Sequence, residues 1–345
     1  MRKIVIPRHG PPEVMEVRTS PDPTPGPGEV RVRVEAAGVN FADILARMGL
    51  YPDAPALPAV VGFEAAGRID AVGEGVAPGR VGEPVVALAG AGAYSDVLCV
   101  PEDRAFGRPE GMSAVEGAAM PVVYLTAHVA LRVMGSLKAG ERVLVHNAGG
   151  GVGLAALDLC RVHGATAYGT ASPWKHDTLR ERGAEACIDY RSRDVEEAIE
   201  ELTGGDGVHV ALDPLGGESW KKSYRCLAPT GRLVIFGMSG TAPGRERRWR
   251  DVLRALVRIP WLTLNPMRLM RDSRAVVGVN LQRIRGRPAE ARRWSEELFE
   301  RWAAGELRPR VDRTFPFSEA AAAHAYIQDR ENLGKVVLVP DGIDG

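Results

Sequence analysis

The sequence predicts an α/β protein in which a small, mainly β barrel is joined to a doubly wound parallel sheet. Three observations predict it. At Glu141 to Gly153, ERVLVHNAGGGVG, an apolar strand runs through a glycine-rich turn directly into a helix. Downstream of Val122 strand-like and helix-like stretches alternate, as in a parallel sheet covered by helices on both faces. Upstream of Pro121 short strand-like runs are punctuated by Pro and Gly, as in an all-β module.

The β half begins with KIVIPR and continues, after PDPTPGPG, with EVRVRVEAAGV, AAGRIDAVG, EPVVALAG and AYSDVLCV. Alternation in VRVRVE suits a strand with one wet face. Between Asn40 and Pro58 the pattern breaks into NFADILARMGLYPDAPALP, a short helical turn followed by a proline-rich loop. Irregular segments on a rigid scaffold are where sites are commonly built.

The run RVLVH is short and β-branched, as expected of a central strand buried on both faces. Gly149, Gly150, Gly151 and Gly153 then allow a sharp turn, tolerate positive φ and leave room for a pyrophosphate. The helix LAALDLCRVHGA follows and stops at Gly164, so phosphate is expected on the N–H groups of Gly151, Val152 and Gly153 at a helix N-terminus. A glycine run alone also describes a plain loop. The order strand, turn, helix selects the nucleotide reading.

Strand ATAYGTAS, helix WKHDTLRERG, strand EACIDY, helix DVEEAIEELTG, strand VHVALD, a helix near SWKKSYRCLA and strand GRLVIFG complete the alternation. Strand-like AVVGVNL comes after an arginine-rich stretch. The C-terminal VDRTFPFSEAAAAHAYIQDRENLGKVVLVP reads strand, helix, strand and returns to the barrel. The expected domains are therefore residues 1–121 with 306–345, and residues 122–305.

Length favours two domains. Basic and acidic side chains balance at 44 each, which excludes a nucleic-acid binder that relies on bulk charge. No signal-peptide core or apolar run of bilayer length occurs, so a cytoplasmic protein is expected. Cys99, Cys160, Cys187 and Cys226 form no CxxC pair; each reads as a buried small hydrophobe.

The end of the second parallel strand bears on cofactor choice. An NAD site usually carries a carboxylate there, about 20 residues beyond the glycine turn. The stretch here is GTASPWKHD, and its first acid, Asp177, comes too late. Ser172 and Lys175 are instead placed to receive a 2′-phosphate, with Tyr190 and Arg191 after the third strand as further candidates. NADPH is the expected cofactor.

The strings GVNFADILARMGLYP, GFEAAGRIDAVGEGV, HNAGGGVG and ENLGKVVLVP, in this order, resemble the medium-chain dehydrogenase/reductase superfamily over essentially the whole chain. Within it they are similar to the quinone oxidoreductase, zeta-crystallin-like branch, and to the subfamily named after the synaptic vesicle membrane protein VAT-1. The resemblance implies a GroES-like barrel and a Rossmann domain. It also gives the lysine and tyrosine at Lys175 and Tyr190 the 2′-phosphate role, and it puts Asn40, Tyr51, Thr126 and the backbone at Phe236 and Gly237 near the nicotinamide.

Zinc members of the superfamily place their ligands where this chain has Asn40, Phe63 and Val122, so catalytic zinc is not expected: Phe and Val donate no lone pair. None of the seven histidines pairs at helical ligand spacing, and His128 and His146 read as structural. Asn40 can bond a substrate carbonyl or the cofactor ribose. Tyr51 is either a proton donor or a packing residue over the cleft mouth. Asn332 and Lys335 either touch the cofactor phosphates or begin a strand. Phe63, Glu64 and Asp43 read as wall and scaffold.

The expected activity is zinc-independent, NADPH-dependent hydride transfer to a quinone or an α,β-unsaturated carbonyl. The alternative is a phospholipid-binding or membrane-associated protein with little catalysis, using the arginine-rich segment 245–274, where Arg247, Arg248, Arg250 and Arg254 lie opposite an apolar side. A surface helix is the competing reading of that segment. The apolar edge AVVGVNL invites pairing with its copy, hence a homodimer.

Overall fold

Alternating valines give one strand an apolar face that must be covered, and the first sheet is built around it. In the computed structural model, which describes residues 1–241, 265–284 and 287–342, strands β1 (Arg2–Val5) and β2 (Glu16–Thr19) form a separate antiparallel pair, and the larger sheet begins with β3 (Glu29–Val39). Val30, Val32 and Val34 of β3 are buried, while Arg31 and Arg33 turn outward to Asp70 at 2.7 and 2.9 Å. One edge of β3 pairs with β4 (Glu64–Val72), which leads on to β5 (Pro84–Leu88). The other edge carries β6 (Val97–Pro101) along its first half. β7 (Ala105–Gly107) extends the sheet beyond β5.

Helix α1 (Phe41–Met48) follows β3 directly: the Asn40 N–H donates to Asp43 Oδ2 at 2.8 Å and the Asp43 N–H to the Asn40 carbonyl at 3.0 Å. Helices α2 (Ala114–Ala119) and α3 (Pro121–His128) lead out of this sheet to β8 (Arg142–Val145). Then come α4 (Gly151–Val162), β9 (Thr166–Thr170), α5 (His176–Glu181), β10 (Ala184–Ile188), α6 (Val195–Thr203), β11 (Val208–Asp213), α7 (Glu218–Arg225) and β12 (Leu227–Ile235). After residues 242–264, α8 (Pro266–Asp272) precedes β13 (Ala275–Gly278) and α9 (Leu281–Ile284). The six strands are all parallel, in the order β10-β9-β8-β11-β12-β13. Strand order reverses between β8 and β11, and in such sheets ligands bind outside the carboxyl ends at this point.

Helix α10 (Pro288–Ala303) was not foreseen, although Trp294, Leu298 and Phe299 share one buried helical face. The chain then returns to the first sheet through β14 (Val311–Pro316), α11 (Ala320–Gln328) and β15 (Lys335–Val339). β15 pairs with the second half of β3. One apolar cluster spans both sheets, joining Ala36, Val86 and Phe106 to Val143, Leu157 and Trp294. The two sheets are also tied by the parallel bridge between Gly150 and Gly334. Cys160 and Cys226 are buried as expected; Cys99 and Cys187 are only half-buried.

Candidate active site

The glycine turn is built differently from the sequence reading. Among Gly149, Gly150, Gly151 and Gly153 none has positive φ; the left-handed residue is Asn147, at φ 52°. The glycines supply space instead. A Cβ on Gly153 would lie 2.4 Å from the Asn147 carbonyl oxygen, and one on Gly151 would lie 2.9 Å from Val123 and 3.0 Å from Lys335. Gly150 is the N-cap of α4 and no side chain caps the helix, so Gly151, Val152 and Gly153 present their N–H groups at its start. Gly334 N–H donates to the Gly149 carbonyl at 2.9 Å, tying the turn to the C-terminal return.

Beyond β9 the residues expected at a 2′-phosphate come together. Ser172 and Lys175 are nearly buried, and the Lys175 ammonium donates to the Asn332 carbonyl at 2.5 Å. Burial pulls the Lys175 ammonium below its ordinary pKa; Tyr190 and Asp312 offset this in part, while Arg330 and Arg191 add to it. Burial alone would raise the Tyr190 phenol, but hydrogen bonding with Ser172, the charge of Arg330 and hydrogen bonding with Arg191 and Arg330 bring it below its usual value. Three cations therefore converge where the local field disfavours another positive charge, a cradle suited to a phosphate dianion. Asp177 is exposed and spent on Arg180 at 2.8 Å. Arg330, contributed by the C-terminal return, was missed by sequence reasoning. Its signal is faint: φ 63° in QDRENLGK, a conformation that no sequence pattern announces.

Asn332 uses its side chain on the Gly334 carbonyl at 2.8 Å, which is the strand-starting turn, while its backbone carbonyl holds Lys175. Lys335 is committed deeper in the cleft. Its three protons go to the Val39 carbonyl at 2.9 Å, Asn40 Oδ1 at 2.9 Å and Glu64 Oε1 at 2.6 Å. Its stem flanks Gly151, so its bearing on a phosphate is through charge rather than a direct bond in this geometry.

Glu64 accepts from Asn40 Nδ2 at 2.7 Å on Oε1 and from the Val122 N–H at 2.8 Å on Oε2. Phe63 is buried and packs against half-buried Tyr51, the ring centroids 5.7 Å apart and the planes tilted by 58°. Thr126 donates its hydroxyl proton to the Val122 carbonyl at 2.6 Å, leaving its oxygen to accept. Phe236 and Gly237 lie just past β12, where a Cβ on Gly237 would come within 3.1 Å of the Pro214 carbonyl. The donor set does not fit zinc: Phe63 and Val122 offer no side-chain lone pair, and no group of three His, Cys, Asp or Glu with ligating geometry occurs among the described residues.

His146 is satisfied by Thr170 on Nδ1 at 3.3 Å and Ser223 on Nε2 at 3.0 Å, the expected structural role. His128 is less so, since its Nδ1 is buried without a partner among the described residues. The arginine cluster Arg247 to Arg254 lies outside the described residues. No described helix is long and apolar enough to cross a membrane.

A helix N-terminus cradled by glycines at the switch point of a parallel sheet is an arrangement suited to a dinucleotide phosphate. Models of the alcohol dehydrogenase GroES-like domain and of the zinc-binding dehydrogenase family match residues 26–110 and 182–338. The synaptic vesicle membrane protein VAT-1 homolog of Rattus norvegicus is 39% identical over 310 residues, 89% of this chain and 76% of that protein. The Escherichia coli quinone oxidoreductase complexed with NADPH superposes with a TM-score of 0.87 at 32% identity, covering 99% of this chain and 100% of that one. The CurK enoyl reductase superposes at 0.85 and 30% identity, covering 98% and 99%. The chain belongs to the medium-chain dehydrogenase/reductase superfamily, in its quinone oxidoreductase-like, VAT-1-like branch.

Proposed function

We propose that this protein is a zinc-independent, NADPH-dependent reductase of quinones or α,β-unsaturated carbonyl compounds. The convergence of Ser172, Lys175, Tyr190, Arg191 and Arg330 past β9, with no acid in the GTASPWK stretch that ends that strand, carries the cofactor choice. NADPH, when bound, supplies the hydride. Gly151, Val152 and Gly153 hold its pyrophosphate, Thr126, Phe236 and Gly237 border the nicotinamide, and Asn40 offers an N–H to the substrate carbonyl. With an enone, Tyr51 delivers a proton to the α-carbon; with a quinone, solvent protons complete the hydroquinone. The names of the E. coli and CurK relatives, a quinone oxidoreductase and an enoyl reductase, support these two substrate classes.

The test is oxidation of NADPH by the purified protein with a panel of ortho-quinones and enones beside NADH controls. Turnover with NADPH and not NADH is expected; NADPH binding without turnover of any acceptor would sink the reductase reading. The lipid-surface alternative rests on the arginine-rich segment and the VAT-1 name, and flotation with anionic liposomes tests it on the same sample. A homodimer through β13, the last strand of the parallel sheet among the described residues, is part of the proposal, checked by sedimentation.

A further inference from the structure

The side-chain amide of Asn40 has one chemically permitted orientation. An ammonium only donates, so the Asn40 atom 2.9 Å from Lys335 Nζ is the carbonyl Oδ1. The Glu64 carboxyl meets three donors, Lys335 Nζ and Asn40 Nδ2 on Oε1 and the Val122 N–H on Oε2, so it stands as a carboxylate that only accepts. A flipped amide would set N–H against ammonium and oxygen against carboxylate, in a site where Glu64 is fully buried and Lys335 nearly so.

Lys335 touches both Asn40 Oδ1 and Glu64 Oε1. The Asn40 N–H used on Glu64 is therefore the one on the oxygen side of the amide plane. The other N–H has no partner among the described residues, and Asn40 keeps 8% of its surface open. An ammonium on the carbonyl oxygen polarises that remaining N–H as a donor.

We propose that Glu64 and Lys335 are positioning residues that hold Asn40 as a one-way, polarised N–H donor to the substrate's carbonyl oxygen. This rests on the reductase reading above. The substrate oxygen gains negative charge as hydride is accepted, so a donor fixed in advance favours that charge over the neutral ground state.

The double variant Asn40→Asp/Glu64→Gln keeps volume, net charge and an ion pair to Lys335, but turns the open donor into an acceptor. We expect kcat on quinone or enone to fall about 100-fold, the usual order for loss of an oxyanion donor. The Kd for NADPH, from nucleotide fluorescence, should stay within about threefold, and Glu64→Gln alone should give an intermediate loss of kcat. Turnover retained within about threefold overturns the proposal. So does a matched loss of NADPH affinity, which assigns Asn40 to the cofactor ribose.

A second measurement needs no turnover. In ¹H–¹⁵N spectra the Asn40 side-chain NH₂ pair, identified by its absence in Asn40→Asp, should show one proton far downfield that moves in Glu64→Gln. A pair that does not move overturns the proposal whether or not a substrate is found. Absence of wild-type turnover on every acceptor, with the pair moving, removes the reductase reading and with it the substrate role of Asn40.

Discussion

Arg47 Nη1 lies 3.1 Å from His324 Nδ1, in the interior of the N-terminal domain, and this contact sets the direction of a buried chain of hydrogen bonds. A guanidinium only donates, so Nδ1 accepts and the ring proton sits on Nε2, 3.1 Å from the Tyr94 hydroxyl. Tyr94 then donates to Asp43 Oδ2 at 3.3 Å, and Asp43 also takes the N–H of Asn40 at 2.8 Å and of Gly62 at 2.8 Å. Glu64 and Lys335 hold the side chain of Asn40, while this chain holds its backbone.

Burial, then the Arg47 charge, drives His324 well below its ordinary pKa of 6.5. The unfolded chain therefore binds a proton that the folded chain refuses. The resulting stability is present above pH 6.5 and is lost as pH falls below it. Denaturant unfolding at pH 7.5 and 5.5 should show wild type losing stability that His324→Gln does not lose. Parallel pH slopes for the two proteins would refute the assignment.

Asp43 slopes the other way. Burial raises its carboxyl from 3.8 to about 7, against the N–H groups of Asn40 and Gly62 and the charge of Lys335. Here the folded state keeps a proton that the unfolded state releases, so stability falls as pH rises from about 4 to about 7 and is level above. The stability difference between wild type and Asp43→Asn should narrow over that range. A difference independent of pH would show that Asp43 is ionised throughout.

Cofactor discrimination should reside in the cations past β9. Lys175→Ala is expected to lower kcat/KM for NADPH by about 10- to 100-fold, since a charge-assisted phosphate contact is worth roughly 1.5–3 kcal/mol. NADH turnover should change little. Arg330→Ala should act in the same direction, and equal losses with both nucleotides would indicate a packing role for either residue.

Gly153→Ala should be damaging because its Cβ would meet backbone atoms of Asn147 and Ala148 at 2.4 and 2.5 Å, which cannot swing aside as a flexible side chain can. Overpacking of this kind costs about 1–3 kcal/mol. Thermal unfolding and NADPH titration should both register the change; a variant with wild-type stability and affinity would contradict the close packing of turn and helix.

Tyr51→Phe separates proton delivery from packing. Its ring packs on Phe63 either way. If the phenol protonates the α-carbon, enone reduction should fall by about 100-fold or more while quinone reduction changes little. Equal, small losses with both acceptors would assign Tyr51 to the wall of the cleft.

Much of this was legible because local chemistry dictated it. RVLVH becomes the central strand β8 and HNAGGGVG the turn before α4, since a buried parallel strand requires a continuous apolar run and a close helix start requires residues without Cβ. The positions of Ser172, Lys175, Tyr190 and Arg191 just past β9 and β10 follow from the same alternation. Short β2 and β7 carried too little pattern to be recognised, and α10 was passed over beside the arginine-rich stretch.

By itself, then, the sequence determined the two-sheet architecture, the glycine turn between β8 and α4 and the absence of zinc-type ligands at Asn40, Phe63 and Val122, all properties of neighbouring residues. Only the tertiary structure decided that Asn147 rather than a glycine takes the left-handed turn, and that Arg330 reaches Tyr190 from a distant part of the chain. It alone revealed that Lys335 and Glu64 close on Asn40 across 295 and 24 positions of sequence. Such contacts follow from how sheets and helices pack, and no periodicity records them, because a buried charge is placed by the partner that compensates it.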